Sequence, residues 1–215
     1  MMSSSGSKPG FWDRHVVPRM IRCACGQPEI MHLRRAVVPL AGGAVFELGC
    51  GGGINQPLYD TAAVTSFTGI DPSHELMADA RAAAERRGWP VDLREAAGEA
   101  IPFADARFDT VVTTFTLCSV ADQGKVLGEL HRILRPGGRI LFLEHGRAPD
   151  PGVAKWQRRI EPVWKRLIGG CHLTRPVGDA LVAAGFDLVQ RDARYLPRAP
   201  RFAGWMEWGV AIRPG

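Results

Sequence analysis

The chain has 215 residues, 46% of them hydrophobic and 23% charged, with a formal net charge of +5. These values fit one globular domain of ordinary size and exclude a disordered, collagen-like or disulfide-stapled chain. No stretch free of Asp, Glu, Lys and Arg exceeds 12 residues, the length reached at Leu48–Tyr59 and Thr110–Ala121, whereas a membrane-spanning helix needs about 18 or more apolar residues.

Met1–Gly10 is rich in Ser and Gly and lacks the apolar core of a signal peptide. Phe11–His32 has apolar residues at helical spacing, broken by Pro18 and Pro28. Cys23 and Cys25 sit two apart with His32 nearby, but no second spaced ligand pair accompanies them. No metal is therefore expected, and the five cysteines read as reduced thiols of a cytoplasmic protein. Ala44–Leu48 is a strand candidate running into Gly49-Cys50-Gly51-Gly52-Gly53, and Ser66–Asp71 is a second. Pro72-Ser73 opens a helix predicted to reach Arg87, stopped by Gly88, and Val91–Arg94 is a weaker strand. Asp109–Phe115 is β-branched and reads as a buried strand, and Asp122–Leu134 as an amphipathic helix terminated by Arg135-Pro136-Gly137-Gly138. Arg139–Leu143 is a strand ending at Glu144-His145-Gly146. Alternating strands and helices predict a parallel sheet with crossover helices.

The last third differs. Trp156, Ile160, Val163, Trp164 and Leu167 mark one face of a basic helix containing Pro162, read as packing that face on the sheet with Arg158, Arg159, Lys165 and Arg166 in water. The other reading makes it a lid over a pocket or a basic face resting on anionic lipid. Arg175–Ala184 is a helix capped by Gly185, and Phe186–Leu196 and Ala203–Ile212 are two strands joined by a Pro-rich connection. Residues 1–40 carry six basic and two acidic side chains, residues 41–150 ten and fifteen, and residues 151–215 eleven and five. Basic ends around an acidic middle suit an acidic partner or the inner face of a membrane, while solvated faces are the plainer reading. No recognition helix or RNA-binding motif is visible, so no nucleic-acid partner is expected.

Glycines directly after a strand let the backbone bend and a ligand approach, at the carboxyl end of a parallel sheet where ligands bind. A dinucleotide fold would ask for Gly-x-Gly-x-x-Gly, but Ile54 occupies the third glycine position and Glu47 precedes the loop. A carboxylate there suits a cationic ligand without phosphate, namely S-adenosylmethionine (SAM). Asp71 stands 20 residues after Gly51 and can accept both ribose hydroxyls of either cofactor. A nicotinamide oxidoreductase stays the alternative from another class, and a membrane- or nucleic-acid-binding module without turnover a third.

Glu47–Gly53, Gly69-Ile70-Asp71, Gly98–Phe103, Phe108–Val112 and Leu134–Arg139 resemble, in order, the successive motifs of class I SAM-dependent methyltransferases. The resemblance implies a three-layer Rossmann-like α/β fold with helices on both faces. Its seven-stranded sheet would be mostly parallel, with an antiparallel C-terminal hairpin. It implies that Glu47, Gly49, Cys50 and Gly51 line the methionine and ribose side, that Asp71 holds the ribose, and that Pro72 borders the adenine. Thr114 and Phe115 would sit near the methionine end. Ala97 stands where many members have Asp, which leaves the adenine contact to backbone or to Gly98 and Glu99. SAM would be the methyl donor and S-adenosylhomocysteine the product.

Thr116–Val120, Phe142–His145, the Trp156…Pro162-x-Trp164 run and Gly170–Arg175 resemble the small-thiol methyltransferases called methyltransferase-like seven and their bacterial relatives. The animal members carry a hydrophobic N-terminal anchor that this sequence does not show, so stable membrane attachment is not expected. The implied organisation is a helical cap over residues 1–40 and a methyltransferase domain over 41–215, with 147–180 as a substrate-side helical insertion. The expected acceptor is a small, apolar molecule, first a thiol, next a phospholipid amine of the phosphatidylethanolamine type. His145 is a candidate general base and His172 a candidate substrate contact, both carried as catalytic. Ser119, Trp156, Thr174 and Arg175 are candidates for binding the acceptor, and Glu144 is a further polar group near the methyl. Cys118 and Cys171 read as packing thiols, because direct methyl transfer needs no covalent enzyme intermediate.

Overall fold

The computed structural model describes residues 26–215. The Ser/Gly-rich start, the predicted helix up to Cys25 and the Cys23/Cys25 pair lie outside the described residues. Pro28, expected to break a helix, instead begins α1 (Pro28–Val37). At the first helical position its missing N–H costs nothing, and its fixed φ suits the helix. A 3-10 turn at Val38–Leu40 leads into β1 (Gly43–Leu48), β2 (Val64–Asp71), α2 (His74–Glu85), β3 (Val91–Glu95) and β4 (Phe108–Thr114). Then follow α3 (Gln123–Ile133), β5 (Leu134–His145), α4 (Pro151–Leu167), α5 (Val177–Ala183), β6 (Asp187–Tyr195) and β7 (Trp205–Ile212). Ser73 and Asp122 cap α2 and α3 by accepting from Leu76 N–H and Lys125 N–H.

The seven strands form one sheet in the order β3-β2-β1-β4-β5-β7-β6. The first five pair in parallel, and β7 runs antiparallel to both β5 and β6. Neighbouring residues on the central strands face opposite sides, as the two-residue period requires. Phe46, Val111 and Phe142 pack in the cluster that includes Leu130 of α3 and Leu181 of α5. Val45, Val112 and Leu141 pack in the cluster that includes Val37 of α1 and Ala80 and Ala84 of α2. The result is the expected three-layer Rossmann-like α/β architecture with helices on both faces.

Two elements differ from expectation. Arg135-Pro136-Gly137-Gly138 ends α3 but also lies inside β5, which starts at Leu134. Gly137 N–H bonds Arg213 C=O and Arg213 N–H bonds Gly138 C=O, so the chain beyond β7 extends the ladder across the turn. The larger correction concerns α4. Its Trp156, Val163 and Leu167 stripe faces outward, with exposures of 58%, 58% and 46%. The inward face is set by Ala154 and by the fully buried Gln157. The Gln157 carboxamide accepts from Ala148 N–H and donates to Gly146 C=O and Phe202 C=O. Loop carbonyls and amides that need partners, not the apolar stripe, decide which side of this helix is covered.

Order 2-1-4 places a topological switch between β1 and β4, where the connections leave to opposite sides and a crevice opens at the strand ends. Gly49 turns the chain out of β1 with φ +70°, and a Cβ there would overlap the Thr116 hydroxyl. Gly49→Ala is therefore expected to lower stability by about 2–4 kcal/mol from backbone strain plus overpacking, read as a shifted urea midpoint at unchanged slope.

Candidate functional site

A cavity of about 760 Å³ opens at that crevice, within the range of roughly 300–1,000 Å³ usual for ligand sites. Its floor is the carboxyl ends of β1, β2 and β4 and the glycine loop after β1. Glu47, Gly49, Cys50, Gly51, Asp71, Pro72, Gly98, Glu99, Thr114, Phe115 and Ser119 all line it. His145, His172, Trp156, Thr174 and Arg175 do not.

Glu47 is 1% exposed. Its two oxygens accept from Asn55 Nδ2 at 2.8 Å and Tyr59 Oη at 2.8 Å. Asn55 also donates to Thr114 Oγ1, and Arg34 Nη1 donates to both Asn55 Oδ1 and Thr114 Oγ1 at 2.7 Å. Burial pushes the carboxyl up to about 7, against the lowering by the Tyr59 and Asn55 bonds and the Arg34 charge. Asp71 closes β2, with Oδ1 accepting from Ser73 N–H at 2.9 Å and Oδ2 from Gly51 N–H at 2.8 Å. Burial raises it too, opposed by those two N–H bonds. Each Asp71 oxygen keeps a lone pair for a further donor, and Gly51 (φ +49°) holds no side chain between it and the cavity. Cys50 lines the loop while its sulfur lies 3.7 Å from Met77 Sδ, and burial raises its thiol far above the ordinary value.

The opposite wall is the turn after β4. Phe115 has φ +58°, a left-handed conformation unusual for an aromatic residue. Glu144, fully buried at the end of β5, holds that turn: it accepts from Thr113 Oγ1 and from the N–H groups of Thr116, Leu117 and Cys118. Burial raises its carboxyl, and those donors oppose the rise. Its hydrogen bonds serve the turn, and it does not line the cavity. Arg175 braces the same turn from outside, donating to Leu117, Val120 and Ala121 C=O.

The other expected groups have local partners. His145 Nε2 lies 2.9 Å from Ala203 C=O and its Nδ1 3.7 Å from Cys171 Sγ. His172 Nδ1 is 3.4 Å from Glu161, whose other oxygen accepts from Thr174 N–H and Oγ1. Burial, then the Arg175 and Lys165 charges, lower the His172 imidazole. Trp156 points to solvent from α4. Glu99 caps the turn before α3 by accepting from Asp122 N–H. Arg34, Asn55 and Tyr59 were not singled out by sequence. They carry no motif and meet Glu47 only through folding.

The donor set suits SAM. Two acidic residues line the cavity: Glu47 at the glycine loop, which sets a negative potential for a cation, and Asp71, with lone pairs left for vicinal hydroxyls, beside a loop that leaves room for backbone approach. Together, this fold and cleft define a Rossmann-like nucleoside-binding enzyme. Residues 46–142 match the methyltransferase domain family. Thiol S-methyltransferase TMT1B of Rattus norvegicus is 36% identical over 167 residues, covering 74% of this chain and 68% of that protein. Phosphatidylethanolamine N-methyltransferase of Cereibacter sphaeroides is 37% identical over 131 residues, covering 59% and 64%. In fold, the chain is similar to a SAM-dependent methyltransferase from Mesorhizobium loti, with TM-score 0.68 and 20% identity over 87% of this chain and 99% of that one. The chain belongs to the class I SAM-dependent methyltransferases, with similarity to thiol S-methyltransferases and to bacterial methyltransferases, and SAM is its methyl donor. The nicotinamide alternative has no support among these relatives.

Glu47 yields a pH test. Its raised value means the folded protein holds this proton more tightly than the unfolded chain does. The associated stabilisation is complete below 4.5 and fades as pH rises through about 7. A sulfonium cation near Glu47 favours the ionised form. SAM affinity is expected to rise roughly fivefold to tenfold between about pH 6 and 7.5. Calorimetry should show this rise in the wild type and a flattened profile in Glu47→Gln.

Proposed function

We propose that the protein transfers the methyl group of SAM to the sulfur of a small, apolar thiol. The observation that carries this reading is the outer wall of the cavity: Phe115, Thr116, Ser119, Val120, Ala121 and Gly169 line it without a histidine or carboxylate. A thiol with an ordinary value near about 8.5 reaches its nucleophilic form in water, whereas an ammonium near about 10 must lose a proton at the site. Similarity to the rat thiol S-methyltransferase supports the same choice. The Cereibacter relative supports a lipid amine as the second reading.

When bound, SAM supplies an activated methyl on a positively charged sulfur that leaves readily. The chain's own residues then position and shield. Asp71 accepts the ribose hydroxyls, the Gly49–Gly51 backbone admits the nucleoside closely, and Pro72, Ala97, Gly98 and Glu99 border the base. Glu47 and Arg34 supply opposite charges to the zwitterionic methionine end. Phe115, Ser119 and Val120 exclude water beside the acceptor, and much of the rate comes from orientation, about 7–11 kcal/mol at most. His145 and His172 hold structural positions, so no side-chain base is assigned.

The outward face of α4 fits the supply of such an acceptor. Trp156, Val163 and Leu167 are flanked by exposed Lys155, Arg158, Arg159 and Arg166, and the helix runs directly to Gly169 at the cavity rim. An exposed apolar stripe between cations suits an anionic lipid surface. No helix among the described residues is long and apolar enough to cross a membrane. Sedimentation with phosphatidylglycerol vesicles is expected to pull the protein down at least tenfold more strongly than with phosphatidylcholine, and Trp156→Ala with Leu167→Ala to reduce that binding. Equal binding to both vesicles removes this surface from the proposal.

Labelled-methyl transfer tests the chemistry directly. An alkyl thiol should be methylated, phosphatidylethanolamine should not, and Asp71→Ala should weaken SAM by about 2–3 kcal/mol through lost charge-assisted hydrogen bonds. Transfer to the amine alone would install the second reading.

A further inference from the structure

Three groups outside the cavity form a cluster that the methyl-transfer reading does not use. Cys118 Sγ and Cys171 Sγ are 3.8 Å apart, although 53 positions separate them in the chain. His172 N–H donates to Cys118 C=O at 2.7 Å, so the two backbones are tied at the point where the sulfurs meet. His145 Nδ1 lies 3.7 Å from Cys171 Sγ, and its Nε2 donates to Ala203 C=O, which holds the ring against the thiol. Both cysteines are free and buried.

The cluster sits one side chain behind the outer wall. Ser119 lines the cavity and its Oγ is 3.5 Å from Cys118 Sγ. Gly169 lines the same rim two residues before Cys171. The two thiols are unequal. Cys171 is held low, first by the Cys118 hydrogen bond against its burial, then by His145 and the Trp164 indole. Cys118 is held high by its bond to Cys171 and by burial. The buried Trp164 Nε1 makes no hydrogen bond, and the indole stands close enough to help lower the Cys171 thiol. Ordinary packing thiols lack a paired sulfur, an imidazole and an indole N–H around one sulfur atom.

We infer that Cys118 and Cys171 form an oxidisable dithiol, a modification site at which a small peroxide closes a disulfide and reshapes the acceptor wall of the cavity. Cys171 sulfur attacks one peroxide oxygen, the O–O bond breaks, and Cys171 sulfenic acid and one water form. Cys118 sulfur then attacks the Cys171 sulfur and displaces hydroxide, which leaves as a second water with the Cys118 proton. The two sulfurs together lose two electrons, which reduce the peroxide. The sulfurs must close from 3.8 Å to about 2.05 Å. That movement takes Cys171 from His145 and shifts Cys118 beside Ser119, while Asp71 and Glu47 stand at the other end of the cleft.

The experiment treats the full chain with hydrogen peroxide, removes it by desalting, alkylates the remaining thiols in denaturant and maps the peptides. A Cys118–Cys171 cross-link in most chains, absent after a phosphine reductant, is expected. Mapping requires no turnover and stands whichever acceptor is methylated. The oxidised protein should keep its SAM affinity within threefold, and its transfer to an alkyl thiol, which rests on the proposed function, should fall at least fivefold and return on reduction. Cys118→Ser and Cys171→Ser should each lose the reversible response. Cys118 and Cys171 both alkylated after peroxide has consumed other cysteines would overturn the inference. So would an unchanged transfer rate in cross-linked protein, or the same reversible loss in both serine variants.

Discussion

A carboxylate at the carboxyl end of a central strand, sealed from water, sets the terms for the cofactor half of this protein. Moving a charge out of water is expensive, and Glu47 is tolerable there only because Tyr59 and Asn55 donate to it and the Arg34 charge stands behind them. The network draws on three parts of the chain: Arg34 of α1, Asn55 and Tyr59 from the segment after the glycine loop, and Thr114 of β4. The network therefore fixes where α1 lies over the strand ends. It also leaves one proton balanced near neutrality, which a positively charged ligand can displace.

Glu144 shows how the same residue type, on a strand two places away in the sheet, is given the opposite task. Three of its four donors come from the turn after β4 and the fourth from Thr113 within β4, and that turn is the outer wall of the cleft. The carboxylate acts as a template around which Thr116–Cys118 wrap, and it absorbs the strain of Phe115 in a left-handed conformation. Arg175 completes the brace from the far side. A cofactor end built around an adjustable charge thus faces an acceptor end whose charges are committed to backbone. That division suits a reaction in which the donor is already activated and the acceptor needs shape and dryness more than acid–base help.

The acceptor half carries two further features: an amphipathic helix with its apolar stripe outward and a thiol pair just behind the wall. The first follows from Gln157 as the inward anchor of α4. With Gln157 bonded to Gly146 and Phe202 carbonyls, Trp156 and Leu167 turn to solvent. Trp164, on the inner side, packs edge-on against Phe202.

The sequence alone determined the strand–glycine bend at Glu47–Gly53 and the carboxylate ending the next strand at Asp71, because each rests on short-range features: a two-residue alternation, a loop needing positive φ, a helix cap. The seven-stranded sheet with its antiparallel hairpin came from the family resemblance, and the strand order from the tertiary structure. The family motifs also name residues that line the cavity at the strand ends, Glu47, Gly51, Asp71 and Thr114 among them. The partners of Glu47, the commitment of Glu144 and Arg175 to a backbone turn, and the local bonds of His145 and His172 were decided only by tertiary structure. Arg34 and Thr114 are 80 positions apart and meet through one hydrogen bond, a relation no periodicity encodes. The direction of α4 was decided in the same way. Its stripe of large apolar residues argued for burial, but unsatisfied carbonyls beside a single glutamine outweighed it, because a buried backbone group without a partner costs more than an exposed side chain on a basic helix.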